Sequence, residues 1–269
     1  MMSNTIHRTL LIAVLAATAP AAPVAAAQSA WTPIPEGKLR LLLVRGPGDE
    51  LKGGVEIALE PGWHTYWRNP GDAGVPPQFD FSGSANVERV EVRFPAPERY
   101  DDGTSVSAVY RDHVVIPLAI SPRRAGAVTL KMSAMLGVCA EICIPTDAEA
   151  EVTLAAESAG DPVAKAQLAL FERMVPGDPK PGQFDIGGIT VGPDAISVEV
   201  IAPAGADPEL FVDGPSDWFL GQPERVAQDG ERFRYTIAIN GRPTAEGTRT
   251  IRFVAASAGR AIEKTETIP

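Results

Sequence analysis

Cys139 and Cys143 are the only cysteines in a chain of 269 residues, and they stand four positions apart. Sulfur at that spacing either closes a bridge or carries electrons. The pair sits in Cys139-Ala140-Glu141-Ile142-Cys143, after a strand-like run ending near Met132 and before Ile144-Pro145. The two thiols are therefore expected to face each other across a tight turn or the end of a hairpin. As a staple the bridge contributes modestly, since closing a loop of about five residues is worth roughly 2 kcal/mol in chain entropy. A short, exposed bridge is also easily reduced, which a thiol exchanger requires. Spacing alone leaves both readings open. The motif has three intervening residues and no strand-helix-strand pattern around it, which disfavours a thioredoxin site. One pair of cysteines also excludes a disulfide-dense scaffold and a four-cysteine zinc site. No Lys or Arg lies inside the motif and Glu141 sits between the sulfurs, so the local sequence offers nothing that favours a thiolate.

Other residues able to do chemistry have plainer readings. Trp63, Tyr66 and Trp67 read as core or corner residues of a β fold, and His64 and His113 as core or surface residues. Tyr110-Arg111-Asp112 reads as a strand end held by a charge-assisted hydrogen bond, and Asp101-Asp102-Gly103 as a turn. Met132 and Met135 add soft sulfur to the cysteines, so a Cu(I)-binding protein is an alternative function, although two methionines on a strand are more simply core fillers. A third reading is a non-catalytic β protein with a structural disulfide. G-x-S-x-G, P-loop and H-E-x-x-H patterns are absent, which removes support for hydrolase and nucleotide chemistry.

The elements that must position the cysteines are short. Lys38 to Val44, Gly54 to Leu59, Val87 to Phe94, Val114 to Ile120, Ala127 to Met132 and Ala150 to Leu154 are β-branched or alternating, and Gly, Pro or Asp bounds them. That spacing predicts an antiparallel sandwich. Asp161 and Pro162 then open a helix of about 14 residues with apolar positions at helical spacing. Pro176 to Gly182 has the composition of a stiff linker. A second strand series follows over Ile189 to Val191, Ile196 to Ile201, Glu209 to Val212, Phe233 to Ile239 and Thr248 to Ala255. The expected fold class is all-β: two β-sandwich domains, residues 28–158 and 183–269, joined by a helix and Pro-rich linker over 159–182.

Composition and the N-terminus bound the setting. With 24 basic against 34 acidic residues the formal charge is -10, which argues against nucleic acid or anionic lipid as a partner. Met1 to Ala27 has His7 and Arg8, a short apolar run and a small-residue end, the pattern of a cleaved signal peptide, while Thr18, Pro20 and Pro23 interrupt it too early for a membrane span. The chain is expected to be soluble in an oxidising exported compartment, where a cysteine pair is either bridged or cycling.

Three motifs in order, Gly62-Trp63-His64-Thr65-Tyr66-Trp67-Arg68-Asn69-Pro70-Gly71, Val109-Tyr110-Arg111-Asp112-His113 and Gly137-Val138-Cys139-Ala140-Glu141-Ile142-Cys143-Ile144-Pro145, resemble the N-terminal periplasmic domain of the DsbD family, and more closely its ScsB-type branch, which is linked with copper tolerance. The resemblance covers roughly residues 32 to 155 well and the remainder loosely. It implies an immunoglobulin-like sandwich with Cys139 and Cys143 as the catalytic pair, Cys143 meeting partners, and no cofactor or metal. It implies a periplasmic thioredoxin-fold protein as acceptor and a membrane-embedded DsbD/ScsB-type donor, here expected on a separate chain because no multi-helix segment follows. It also places Trp63 or Tyr66 beside the disulfide as a wall, with Tyr100 and Asp102 as further binding candidates. The better-known branch shields its cysteines with a cap-loop aromatic residue. Gly103 and Thr104 fall where that residue would lie, so the shield is expected to be missing or supplied by Tyr100.

Overall fold

A computed structural model describes residues 28–243 and 247–268; the leader expected over Met1 to Ala27 lies outside them. The chain begins with β1 (Thr32–Ile34), β2 (Gly37–Arg45), β3 (Leu51–Leu59), β4 (His64–Gly71), β5 (Gln78–Asp80) and β6 (Val87–Val92). It continues with β7 (Glu98–Asp101), β8 (Val106–Arg111), β9 (His113–Pro122), β10 (Val128–Cys139) and β11 (Cys143–Leu154). These form two facing antiparallel sheets, ordered β1-β2-β3-β9-β6 and β11-β10-β4-β8-β7, with β5 added on β10. The immunoglobulin-like, all-β expectation holds.

Side-chain alternation explains the layering. Along β10 the even positions Leu130, Met132, Leu136 and Val138 are fully buried in the core between the sheets, while Lys131 and Ser133 face outward. The odd positions continue outward to Gly137 and Cys139, so the cysteine lies on the outer face of its sheet.

The helix α1 (Pro162–Glu172) closes the opposite sheet. Asp161 caps it, its Oδ1 accepting from the Val163 and Ala164 amides at 2.6 and 3.2 Å, and Pro162 sits in the first turn where no amide is needed. Ala164, Leu168 and Phe171 form its buried face. Gly54 makes room beneath it, because a Cβ there would come within 2.6 Å of a Leu168 methyl. Burying Leu168 contributes about 2 kcal/mol. The helix is 11 residues, shorter than expected: the Met174 amide donates to Phe171 and its carbonyl accepts from Ala96, which turns the chain off the helix axis.

Beyond it come β12 (Asp185–Val191), β13 (Ala195–Ile201), β14 (Glu209–Asp213), β15 (Phe219–Leu220), β16 (Glu224–Asp229), β17 (Arg232–Gly241), β18 (Arg249–Ser257) and β19 (Arg260–Ile268). They make a sheet β12-β13-β17-β15, with β16 also on β17, and a sheet β14-β18-β19. Phe184, Val198, Phe233, Ile237 and Phe253 fill the core between them. Tyr235 is buried with them, its hydroxyl donating to the Pro208 carbonyl, and burial pushes the phenol up to about 12.

The strands β14 and β18 are buried on both faces. Leu210, Val212 and Phe253 enter the second core, whereas Phe211 and Val254 enter the first. The Phe211 ring meets Trp67 edge-on at 6.0 Å between centroids. Arg68, the next residue of β4, pairs with Asp213 at 2.9 Å and Glu263 at 2.5 Å, and Asn69 donates to the Val212 carbonyl at 2.9 Å.

Candidate functional site

The site begins with a row of register partners. Cys143 on β11 stands opposite Cys139 on β10, Cys139 opposite His64 on β4, and His64 opposite Arg111 on β8. Directly paired residues in an antiparallel sheet project from the same face. Two sulfurs, an imidazole and a guanidinium therefore run side by side across four strands of the outer face.

The cysteines form a disulfide, with their Cα atoms 4.2 Å apart. Within the turn the Ala140 amide donates to the Ile142 carbonyl at 3.1 Å, and Ile142 itself is 65% exposed at the tip. Pro145 is accommodated because β11 is an edge strand that needs no outward amide there. The two sulfurs differ in access: Cys139 is 1% exposed, whereas Cys143 belongs to the exposed tip.

Tyr66 stands two residues along β4 from His64 and faces the same way. Its hydroxyl donates to Cys143 Sγ at 3.1 Å, since a disulfide sulfur has no proton to give. Two glycines make the slot for its ring. A Cβ on Gly137 would lie 3.1 Å from it, and one on Gly74, at φ +124°, would overlap it. Burial raises the Tyr66 phenol, with the nearby Asp102 carboxylate and Tyr100 adding to the effect, so the group remains a donor. Tyr66, Val109 and Cys139 form a small buried cluster of their own, with Tyr100 packed against it.

His64 is 3% exposed. Its ring lies edge-on to Tyr66 at 5.4 Å and tilted against Tyr100 at 4.7 Å. Burial lowers its pKa, the Arg111 charge lowers it further, and Asp102 opposes both. Arg111 is held by Glu98, its Nε and Nη2 donating at 2.9 and 2.6 Å. Asp102 is exposed and closes a turn: its Oδ1 accepts from the Thr104 and Ser105 amides at 2.8 Å each, which holds its carboxyl below the usual range.

The candidates read from the sequence are thus only partly assembled. Cys139, Cys143, Tyr66 and Tyr100 come together, and Asp102 lies close enough for its charge to act on His64 and Tyr66. Trp63 does not join the cluster of Tyr66 and Cys139; it is half-buried against the larger core. Gly103 and Thr104 occupy the Asp102 turn. The four soft sulfurs do not converge, because Met132 is sealed between the sheets while Cys139 faces outward. Sequence alone marks His64 as no more than a core or surface residue. Its partner in register lies 75 positions away, and nothing local singles it out.

Residues 33–155 match the family described as "Thiol:disulfide interchange protein DsbD, N-terminal". The fold is similar to the crystal structure of the N-terminal periplasmic domain of ScsB from Proteus mirabilis, with a TM-score of 0.73 at 22% identity, over 90% of this chain and 98% of that one. No curated protein matches.

Proposed function

We propose that this chain relays electrons in the periplasm through the Cys139–Cys143 pair, a reading supported by the match of residues 33–155 to the DsbD N-terminal thiol-disulfide interchange family. The observation that carries the reading is the unequal access of two bonded sulfurs. An incoming thiolate can reach Cys143 Sγ; Cys139 is then the leaving group and departs as a thiolate that takes up a proton. A second donor thiol resolves the mixed disulfide and leaves both cysteines reduced. In the forward step Cys143 attacks a substrate disulfide, and Cys139 attacks Cys143 Sγ to release the reduced substrate. Two electrons and two protons pass per cycle.

Tyr66 supports this chemistry by offering a hydrogen bond where negative charge develops on Cys143. The electron source is a membrane-embedded donor of the DsbD/ScsB type and the acceptor a periplasmic thioredoxin-fold protein. A periplasmic setting agrees with that of the similar ScsB domain, and among the described residues no helix is long and apolar enough to cross a membrane. The reading keeps two β units joined over residues 159–182: the second core draws only on Phe184 and residues after it, although the helix, Phe211 and Val254 pack into the first.

Equilibration against glutathione and dithiothreitol buffers, with alkylation of free thiols, tests the reading. An exchanger is expected near the glutaredoxin and thioredoxin values of about -200 to -270 mV; a potential below about -300 mV marks a structural bridge and overturns it. Cys139→Ser should then accumulate mixed disulfides through Cys143 in periplasmic extract.

A further inference from the structure

The buried sulfur poses a problem that the exchange reading does not answer. When a mixed disulfide has formed on Cys143, Cys139 must lose its proton to attack it. Cys139 is enclosed by Tyr66, Val109 and Tyr100, surroundings that disfavour a thiolate, and the turn from Cys139 to Cys143 carries no cation. A proton acceptor has to come from another strand.

The groups around the row divide clearly. Arg111 on β8 is a cation engaged by Glu98 on β7 and cannot accept a proton. The Asp102 carboxylate spends its oxygens on the Thr104 and Ser105 amides and the Ser105 hydroxyl. The phenol of Tyr66, on the strand of His64 itself, is a proton donor bound to Cys143, and Tyr100 from β7 contributes a ring face. Glu141 is an exposed residue of the turn between the cysteines. That leaves His64, the direct register partner of Cys139 on the same face, where paired Cβ atoms lie about 4.5–5.5 Å apart. Its ring makes aromatic contacts and, among the described residues, no hydrogen bond, so its nitrogens are uncommitted. Burial and the Arg111 charge keep the imidazole neutral near pH 7, the form able to take a proton.

We infer that His64 accepts the Cys139 thiol proton during resolution of the mixed disulfide. The inference rests on exchange at this pair. The Cys139 S–H proton passes to the imidazole; the thiolate attacks Cys143 Sγ; the bond from Cys143 to the partner sulfur breaks; and the departing thiolate takes the proton back from the imidazolium or from water. The two electrons leave with the partner, whose disulfide is the oxidant.

The test uses the reduced full chain and one equivalent of dipyridyl disulfide, a probe that releases a coloured thione at each step. The first release reports attack by Cys143 and the second reports resolution by Cys139. In His64→Gln the first release should keep its rate while the second slows about 100-fold at pH 6 to 7, the lower end of what a positioned base supplies. In His64→Ala added imidazole should restore the second release, which a purely structural role would not allow. In the unaltered protein the second release should level off above a pH lower than 6.5, once the imidazole is neutral, and the level stretch should vanish in His64→Gln. This profile decides the matter even if the variants fold poorly. A second release that climbs steadily up to the thiol range near pH 8.5, or that keeps its rate in His64→Gln, overturns the inference. Absence of the first release in the unaltered protein refutes exchange itself, and the role of His64 with it.

Discussion

His64 and His113 lie on facing sheets of one sandwich and have opposite surroundings. His113 is 41% exposed at its side chain, and its Nε2 meets Glu56 Oε1 at 3.0 Å. Glu56, whose side chain is only 4% exposed, also takes Arg40 Nε at 2.6 Å and Gln167 Nε2 at 2.9 Å. That cluster joins β2, β3, β9 and the helix, and every charge in it has a partner. His64 is buried, faces a cation, and has aromatic rings where His113 has a carboxylate. A polar side chain whose hydrogen bonds are met holds structure together; one without such partners keeps its lone pair available. The comparison assigns stability to one histidine's neighbourhood and reactivity to the other's.

The sharpest division comes from removing a group on each side. Cys143→Ser should abolish exchange with any disulfide probe while lowering the unfolding free energy by only about 2 kcal/mol, the worth of so short a loop. Glu56→Ala should do the reverse. Removing the carboxylate leaves Arg40 and Gln167 without their acceptor and is expected to cost about 3 kcal/mol in urea unfolding, with the exchange rate unchanged. A slowed exchange in Glu56→Ala would show that the two neighbourhoods are not independent.

Three smaller effects refine it. Tyr66→Phe removes the hydrogen bond on Cys143 Sγ, a bond that strengthens when that sulfur becomes a thiolate. The loss of about 1 kcal/mol should make the bridge harder to reduce by about 20 mV, read in the same glutathione buffers. At Glu56, burial raises the carboxyl pKa, but the hydrogen bonds from His113, Arg40 and Gln167 outweigh it and leave the group below 4.5. A depressed carboxyl contributes stability above its unfolded value, and that contribution disappears as pH falls through the folded one. Glu56→Gln should therefore flatten the acid limb of the stability curve below about pH 4.5 and leave the pH dependence of exchange alone. The smallest change is expected of His113→Gln: a loss under about 1 kcal/mol, consistent with an exposed partner.

Some of this is legible in the sequence, and the rest is hidden for physical reasons. Two cysteines four apart before Pro145 announce a hairpin end, and Asp161-Pro162 announces a helix start, because both signals are local. The strand β4 has no such signal. His64, Thr65, Tyr66 and Trp67 are all buried, since one face carries the site and the other the core, so the in-out alternation that betrays a strand is erased. The strands β16 and β19 escape the pattern for the converse reason, their residues being largely exposed or polar. Register is the least legible quantity. That Cys139 falls opposite His64 depends on how four strands stack across 75 residues, and no short window contains it.

The packing between the two cores bears on how small a working piece can be. The stretch that matches the family stops at residue 155, yet Phe211 and Val254 plug the same sandwich from beyond it, together with Leu168 and Phe171 of the helix. Arg68, two positions after Tyr66, anchors to Asp213 and Glu263 in that distal portion. A fragment trimmed at the family boundary would bare Trp67 and strand the Arg68 charge on the very ribbon that carries the imidazole and the phenol. In this chain the segment that matches the family and the core packed around it are of different extents.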